Sequence, residues 1–141
     1  MKKHLLSTTL IIIALNISLL SCTLKLKESF VAENKRIYIE QWGNYFPKGF
    51  HSMMGDNYQG VLALGDDQFI FDARSPSKYW MPYIKPFKIF RQQIKDIEIS
   101  EQKSFKKRKL TIILENDKKA EFLLSNGEQF YKEMKSWLAK N

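Results

Sequence analysis

The sequence predicts a mainly β domain, a small antiparallel sandwich or barrel of about seven short strands closed by one C-terminal α-helix. Three observations predict it. Apolar runs come in pairs joined by tight polar turns, Val61–Leu64 with Phe69–Phe71 and Leu110–Leu114 with Ala120–Leu124, which is the pattern of β-hairpins. A clear amphipathic stripe with helical spacing closes the chain, where Phe130, Met134, Trp137 and Leu138 recur at i, i+4, i+7 and i+8. The 141 residues are 44% hydrophobic and 13% aromatic with six Gly and four Pro, enough for one core and incompatible with a collagen-like or disordered chain.

The elements follow in order. Met1-Lys2-Lys3-His4 is a cationic head, and eleven of the sixteen residues from Leu5 to Leu20 are apolar. This is the layout of a secretory signal. As a helix those residues would reach only ~24 Å, short of the ~30 Å hydrocarbon core of a bilayer. Leu19-Leu20-Ser21-Cys22 then resembles the bacterial lipobox, in which a small residue precedes a cysteine that is acylated and becomes the mature N-terminus. Cys22 is the only cysteine, so it has no partner for an internal disulfide and no companions for a thiolate zinc site. The resemblance implies residues 1–21 as a lipoprotein signal, a diacylglyceryl group and an acyl chain on Cys22, and stable anchoring, since two or more chains hold far better than one. It also implies the cell envelope, and the periplasmic side of the outer membrane in a Gram-negative cell, because Thr23 is not the aspartate linked to inner-membrane retention.

Residues 22–29 read as a tether that keeps the domain within about 25 Å of the bilayer at full extension. Residues 30–57 are ambiguous. Val31, Tyr38, Trp42 and Tyr45 fit a helical face while Arg36–Trp42 also alternates as a strand, and the helix is the favoured reading; Pro47–Asn57 is a loop or an irregular strand by its Gly and Pro. Residues 58–141 form the domain core. It opens with the first hairpin, whose turn Gly65-Asp66-Asp67-Gln68 uses aspartates for their tolerance of positive φ and their backbone hydrogen bonds. Lys78–Ile84, Phe87–Phe90 and Ile94–Ile99 are β-rich runs, followed by the second hairpin around Glu115–Lys118. Ser125-Asn126-Gly127-Glu128 is a Ser-x-x-Glu capping box that starts the helix.

Gly60-Val61-Leu62-Ala63-Leu64-Gly65-Asp66-Asp67-Gln68-Phe69-Ile70-Phe71 and Phe87-Lys88-Ile89-Phe90-Arg91-Gln92-Gln93-Ile94-Lys95-Asp96-Ile97, with the strand order and the closing helix, resemble the pleckstrin-homology-like group, including GRAM domains. The resemblance spans residues 58–139 or so and rests on apolar spacing. It implies a binding platform in which ligands, peptides or lipid head groups meet the loops or a sheet edge.

Catalytic constellations are weak in the sequence, and no catalytic residue, metal ligand or cofactor is assigned. Once the signal is removed, His51 is the one histidine, which removes His-rich metal clusters. A triad of Ser52, His51 and Asp56 would have to form among loop neighbours, and no G-x-S-x-G or Gly-rich phosphate loop occurs. Asp66 and Asp67 read as turn residues ahead of an acid/base pair.

Two segments carry a binding expectation. The stretch Arg74–Lys109 holds eleven basic and three acidic residues, and Lys103, Lys106, Lys107, Arg108 and Lys109 fill five of seven positions at a hairpin. Such a cluster either orients a tethered domain on anionic lipid, at ~1 kcal/mol per cation, or keeps a sheet edge from pairing. The stretch Ser75–Phe87 holds Tyr79, Trp80, Tyr83 and Phe87 with three prolines, a composition that suits a contact surface; alternatively Trp80 and Ile84 face the core. Lys85, Lys88 and Arg91 add cations to it. The expected function is therefore a lipid-anchored, non-enzymatic envelope module that meets a protein partner or an anionic membrane surface through residues 79–109, with no nucleic acid involved. The alternative is a structural lipoprotein that scaffolds an envelope complex, and an envelope hydrolase around His51 stands third.

Overall fold

The computed structural model describes residues 26–49, 56–101 and 107–140. Cys22, His51, Ser52, Lys103 and Lys106 lie outside the described residues. A short helix α1 (Glu28–Glu33) precedes β1 (Ile39–Phe46), β2 (Tyr58–Leu64), β3 (Gln68–Pro76) and β4 (Phe87–Phe90). A 3-10 turn (Arg91–Gln93) leads to β5 (Ile94–Glu101), β6 (Arg108–Leu114), β7 (Lys119–Leu124) and helix α2 (Gly127–Leu138). The chain is thus mainly β with a C-terminal helix. All seven strands pair antiparallel in one sheet of order β4-β3-β2-β1-β7-β6-β5.

The apolar runs explain the layering. In β2, Leu62 and Leu64 face the main core with Phe69, Phe71, Leu110, Ile112, Phe122 and Leu124, and α2 covers that face with Phe130, Met134 and Trp137. Val61, Ala63 and Ile70 point the other way, where Leu26 and Phe30 cover them. Because β2 and β3 are buried on both faces, they read as continuous apolar runs where a half-exposed strand would alternate. At the heart of the core, Phe122 packs its ring 5.1 Å from Phe69, 5.2 Å from Tyr45 and 5.7 Å from Phe71 between centroids. Each large side chain buried in this way contributes about 1.5–3 kcal/mol.

Several expectations are corrected. The helix favoured for the segment after residue 30 ends at Glu33, and of the alternating stretch Arg36–Trp42 only Ile39–Trp42 belongs to β1. β1 pairs with β2 through Trp42↔Val61 and with β7 through Asn44↔Leu123, so a helix here would leave two strand edges open. Residues 26–29, expected within the tether, are part of the packed domain: Leu26 is only 5% exposed, the Lys27 N–H donates to Asp72 Oδ2 at 3.1 Å, and α1 starts at Glu28.

Lys78–Ile84 is not a strand. Pro82 and Pro86 lack the N–H that a ladder needs, and pairing with β3 resumes only at Phe87↔Phe71. At α2 the N-cap is Asn126 with no side-chain cap hydrogen bond, so the Ser125 capping box does not form. Glu128 instead faces Arg108 at 3.9 Å and Lys132 at 4.0 Å. Positive φ among the described non-glycine residues occurs at Asp117, in the second hairpin, and not at Asp66 or Asp67. The first turn is held by a different device: Asn34 Oδ1 accepts from the Asp66 N–H at 3.0 Å and from Gln68 Nε2 at 3.1 Å, while Asp66 Oδ2 accepts from the Lys35 N–H at 2.6 Å.

Candidate functional site: an exposed aromatic loop

The loop 77–86 joins β3 to β4, and its ends are fixed by the chain around it. Ser77 N–H donates to the Asn57 carbonyl at 2.7 Å, Met81 N–H to the Lys78 carbonyl at 3.0 Å, and the Tyr58 hydroxyl to the Pro82 carbonyl at 3.0 Å. Met81 is the anchor, 5% exposed and inserted in the main core. With that one side chain turned in and no β-ladder to satisfy, its neighbours turn out. Tyr79 is 99% exposed, Tyr83 77% and Trp80 61%. Trp80 therefore does not enter the core, and Ile84 only lies against its margin. Lys78 ties the loop to Asp56 at 3.5 Å with its ammonium 5.2 Å from the Trp80 ring centroid. Lys85 is exposed and has no ion-pair partner among the described residues.

The other expected cations have internal duties. Lys88 pairs with Glu33 and lies 5.7 Å from the Phe30 ring centroid, which clamps α1 to the edge strand β4. Arg91 stacks 4.5 Å from the Trp137 ring centroid and donates to the Lys140 carbonyl at 2.6 Å and to the Asp66 carbonyl, joining the 3-10 turn to the end of α2. Trp137 in turn donates its indole N–H to the Gly65 carbonyl at 2.8 Å. On β6, Arg108 pairs with Glu101 at 2.6 Å and Lys109 with Glu121 at 3.1 Å. β6 is separated from β4 in the sheet order by β3, β2, β1 and β7. The basic hairpin and the aromatic loop are therefore not neighbours in the sheet, and Lys107, Arg108 and Lys109 are only partly exposed.

Sequence reasoning missed two features. One is a cleft of about 960 Å³ between the Asp66–Asp67 turn, the 3-10 turn and the end of α2. Lys35, Lys95 and Lys140 line it with Asp66 and Asp67, so its charge is mixed, and Lys95 is paired with Asp117 at 2.6 Å. The other is Asp72, wholly buried and bridged to Lys27 at 3.3 Å and Arg74 at 2.7 Å. Its signal was a carboxylate at the end of the apolar run Phe69-Ile70-Phe71. Burial raises the Tyr45 phenol above its ordinary 10.0. Among the described residues, no group of three or more His, Cys, Asp or Glu side chains could hold a metal ion, and no helix is long and apolar enough to cross a membrane. The loop can offer amphipathic rings and ammonium groups to a second surface.

No protein-family model matches the chain, and no curated protein matches it. Among solved structures, the chain is similar to the C-terminal domain of an unknown protein from Leishmania infantum, with 14% identity over 78% of this chain and 90% of that one, and a TM-score of 0.54. At that identity the likeness shows the fold alone.

Proposed function

We propose that the chain is a lipid-anchored, non-enzymatic binding module of the cell envelope, held by acylated Cys22 and making its specific contact through the loop 77–86. The observation that carries this reading is the outward placement of Tyr79, Trp80 and Tyr83 on a loop whose one buried side chain is Met81. Large rings clustered in water at the protein surface mark contact sites. Held on an ordered loop, they lose little conformational freedom on binding, which favours affinity. The lipobox-like Leu19–Cys22 supports the anchor, and seven strands closed by a helix support a pleckstrin-homology-like platform within this reading. The basic hairpin has a smaller part here than its composition suggests, because Arg108 and Lys109 already neutralise Glu101 and Glu121.

Two variants of the full chain test the reading in a bacterial host that processes lipoproteins. Cys22→Ser should move the protein from the membrane pellet to the soluble fraction. Replacing Tyr79, Trp80 and Tyr83 together with Ser should leave thermal unfolding unchanged while lowering in-cell crosslinking of the loop to its contact, protein or lipid, about tenfold, the effect of one modest hot spot. A triple variant that folds and crosslinks like the parent refutes the role of the loop. A single dominant protein adduct that survives the triple substitution would instead favour a scaffold contact elsewhere on the domain.

A further inference from the structure

A six-residue helix has no stability of its own in water, so α1 marks a place where the fold grips the chain. Leu26 and Phe30 are buried against Val61, Ala63 and Ile70, and Lys27 is held at Asp72 through both its N–H and its ammonium group. Only Thr23, Leu24 and Lys25 separate Cys22 from this grip. At no more than ~3.6 Å per residue, the Cα of Cys22 stays within ~14 Å of Leu26. The grip at Asp72 is also four residues before Pro76, the end of β3, a distance of ~13 Å along a strand. The aromatic loop begins at that end.

Two exposed surfaces therefore compete for a bilayer that holds the acyl chains of Cys22. On α1, Val31 is 49% exposed, but the groove beside it is rimmed by Glu28 and Glu40, which anionic head groups repel. From Ser77 to Pro86 there is no acidic residue, there are two lysines, and the exposed side chains are the Trp and Tyr types that concentrate at membrane–water interfaces.

On the reading that Cys22 is acylated, we propose that this loop is the second membrane contact of the domain: Trp80, Tyr79 and Tyr83 enter the head-group layer of the bilayer that holds the lipid anchor, with Lys85 facing its phosphates. The anchor supplies the attachment, so the loop needs only weak affinity to fix the orientation of the domain, because tethering raises its effective concentration at the surface into the millimolar range. Arg108 and Lys109 on β6, paired with Glu101 and Glu121, and the mixed-charge cleft do not contribute to this contact.

The test uses the full-length, processed protein in vesicles of phosphatidylethanolamine and phosphatidylglycerol, with and without bromine on the lipid acyl chains. Mass spectrometry of the N-terminal peptide establishes acylation first. The chain has three tryptophans, of which Trp137 is 1% exposed and Trp42 is partly buried; subtracting a Trp80→Phe variant isolates the emission of Trp80. The expected result is a blue shift on vesicle binding and loss of about half of the Trp80 emission to bromine, as for a ring at the interface. Unquenched Trp80 in vesicle-bound, acylated protein overturns this inference and leaves the lipid anchor standing, and crosslinking of the loop to an envelope protein in that case would reassign it to a protein partner. An unacylated chain that stays in the supernatant overturns both readings.

Discussion

Asp72→Ala is the perturbation that most directly tests how the N-terminal segment is held. Asp72 is the one buried acidic side chain among the described residues: its Oδ2 accepts from the Lys27 N–H at 3.1 Å and from the Arg74 guanidinium at 2.7 Å, and its Oδ1 is ion-paired with the Lys27 ammonium at 3.3 Å. Breaking a buried ion pair ordinarily costs ~3–5 kcal/mol, because the remaining charge is stranded. Here the Lys27 side chain is 47% exposed and that of Arg74 is 26% exposed, so both regain water when the carboxylate is gone. That lowers the expected loss to about 2–3 kcal/mol, dominated by the orphaned Lys27 N–H and the lost charge-assisted bond to Arg74. Since α1 cannot persist alone, the loss appears first as local undocking. Hydrogen exchange is the assay, read at the Val31 and Asn34 amides, which donate to the Lys27 and Val31 carbonyls at 3.3 Å. They should exchange about 30- to 150-fold faster, at ~1.4 kcal/mol per tenfold. Asp72→Asn keeps a carbonyl for the Lys27 N–H and should show a smaller acceleration. Protection unchanged within about threefold in Asp72→Ala would show that apolar packing alone holds α1 and would refute the reasoning.

Three further outcomes follow from the same contacts. Trp137→Phe removes the indole bond to Gly65 and weakens the Arg91 stack, and should lower stability by about 1–3 kcal/mol in urea unfolding; a loss below measurement would mean that ring burial alone matters there. Gly65→Ala places a Cβ 2.0 Å from Asn34 Oδ1, the atom that receives the Asp66 N–H, so it should cost about 1–3 kcal/mol, and pairing it with Asn34→Ala should recover part of that overlap in a double-mutant cycle. The raised Tyr45 phenol favours the neutral form in the folded state, so its contribution is fully present below pH 10.0 and is lost as the pH climbs through the higher folded value; Tyr45→Phe should flatten this alkaline decline, measured by unfolding midpoints alongside phenolate absorbance.

Much of the sheet could be read from the chain because its strands are buried on one or both faces. Val61–Leu64, Phe69–Phe71, Leu110–Leu114 and Ala120–Leu124 are apolar enough to be unambiguous, and Phe130, Met134 and Trp137 form the buried stripe of α2. β1 was hidden for a physical reason. Gln41, Gly43 and Asn44 are poor strand formers, and what makes them a strand is the pair of edges offered by β2 and β7; Gly43 is needed there because a Cβ would lie 2.7 Å from Leu62 Cδ1 and 2.9 Å from the Leu123 carbonyl. The candidate site was half legible. Aromatic and proline content marked 75–87 as unusual, but whether Trp80 or Met81 turns inward depends on where the ladder with β4 resumes. Likewise no local pattern reveals that Lys88, Arg108 and Lys109 meet Glu33, Glu101 and Glu121, because the first pairing is set by how α1 docks on the sheet and the other two by strand register.

If Cys22 carries the proposed anchor, the placement of the N-terminal segment links folding to attachment. Val61, Ala63 and Ile70 lie on the face of the sheet away from α2, and without Leu26 and Phe30 they would leave an apolar strip open to water. Covering that strip is part of completing the fold. The same docking decides how much of the chain remains between Cys22 and the first held residue. If α1 undocks back to Asn34, the arm grows from four residues to twelve, and its reach from ~14 Å to ~43 Å. Within the lipid-anchored reading, a domain on the short arm has its aromatic loop within reach of the bilayer, whereas one on the long arm can turn freely and lose that register. Substitutions at Leu26, Phe30 or Asp72 would then weaken the surface contact made by Trp80 without touching the loop. On the proposed reading, the ion pair at Asp72 therefore acts on the membrane contact by setting the length of the arm.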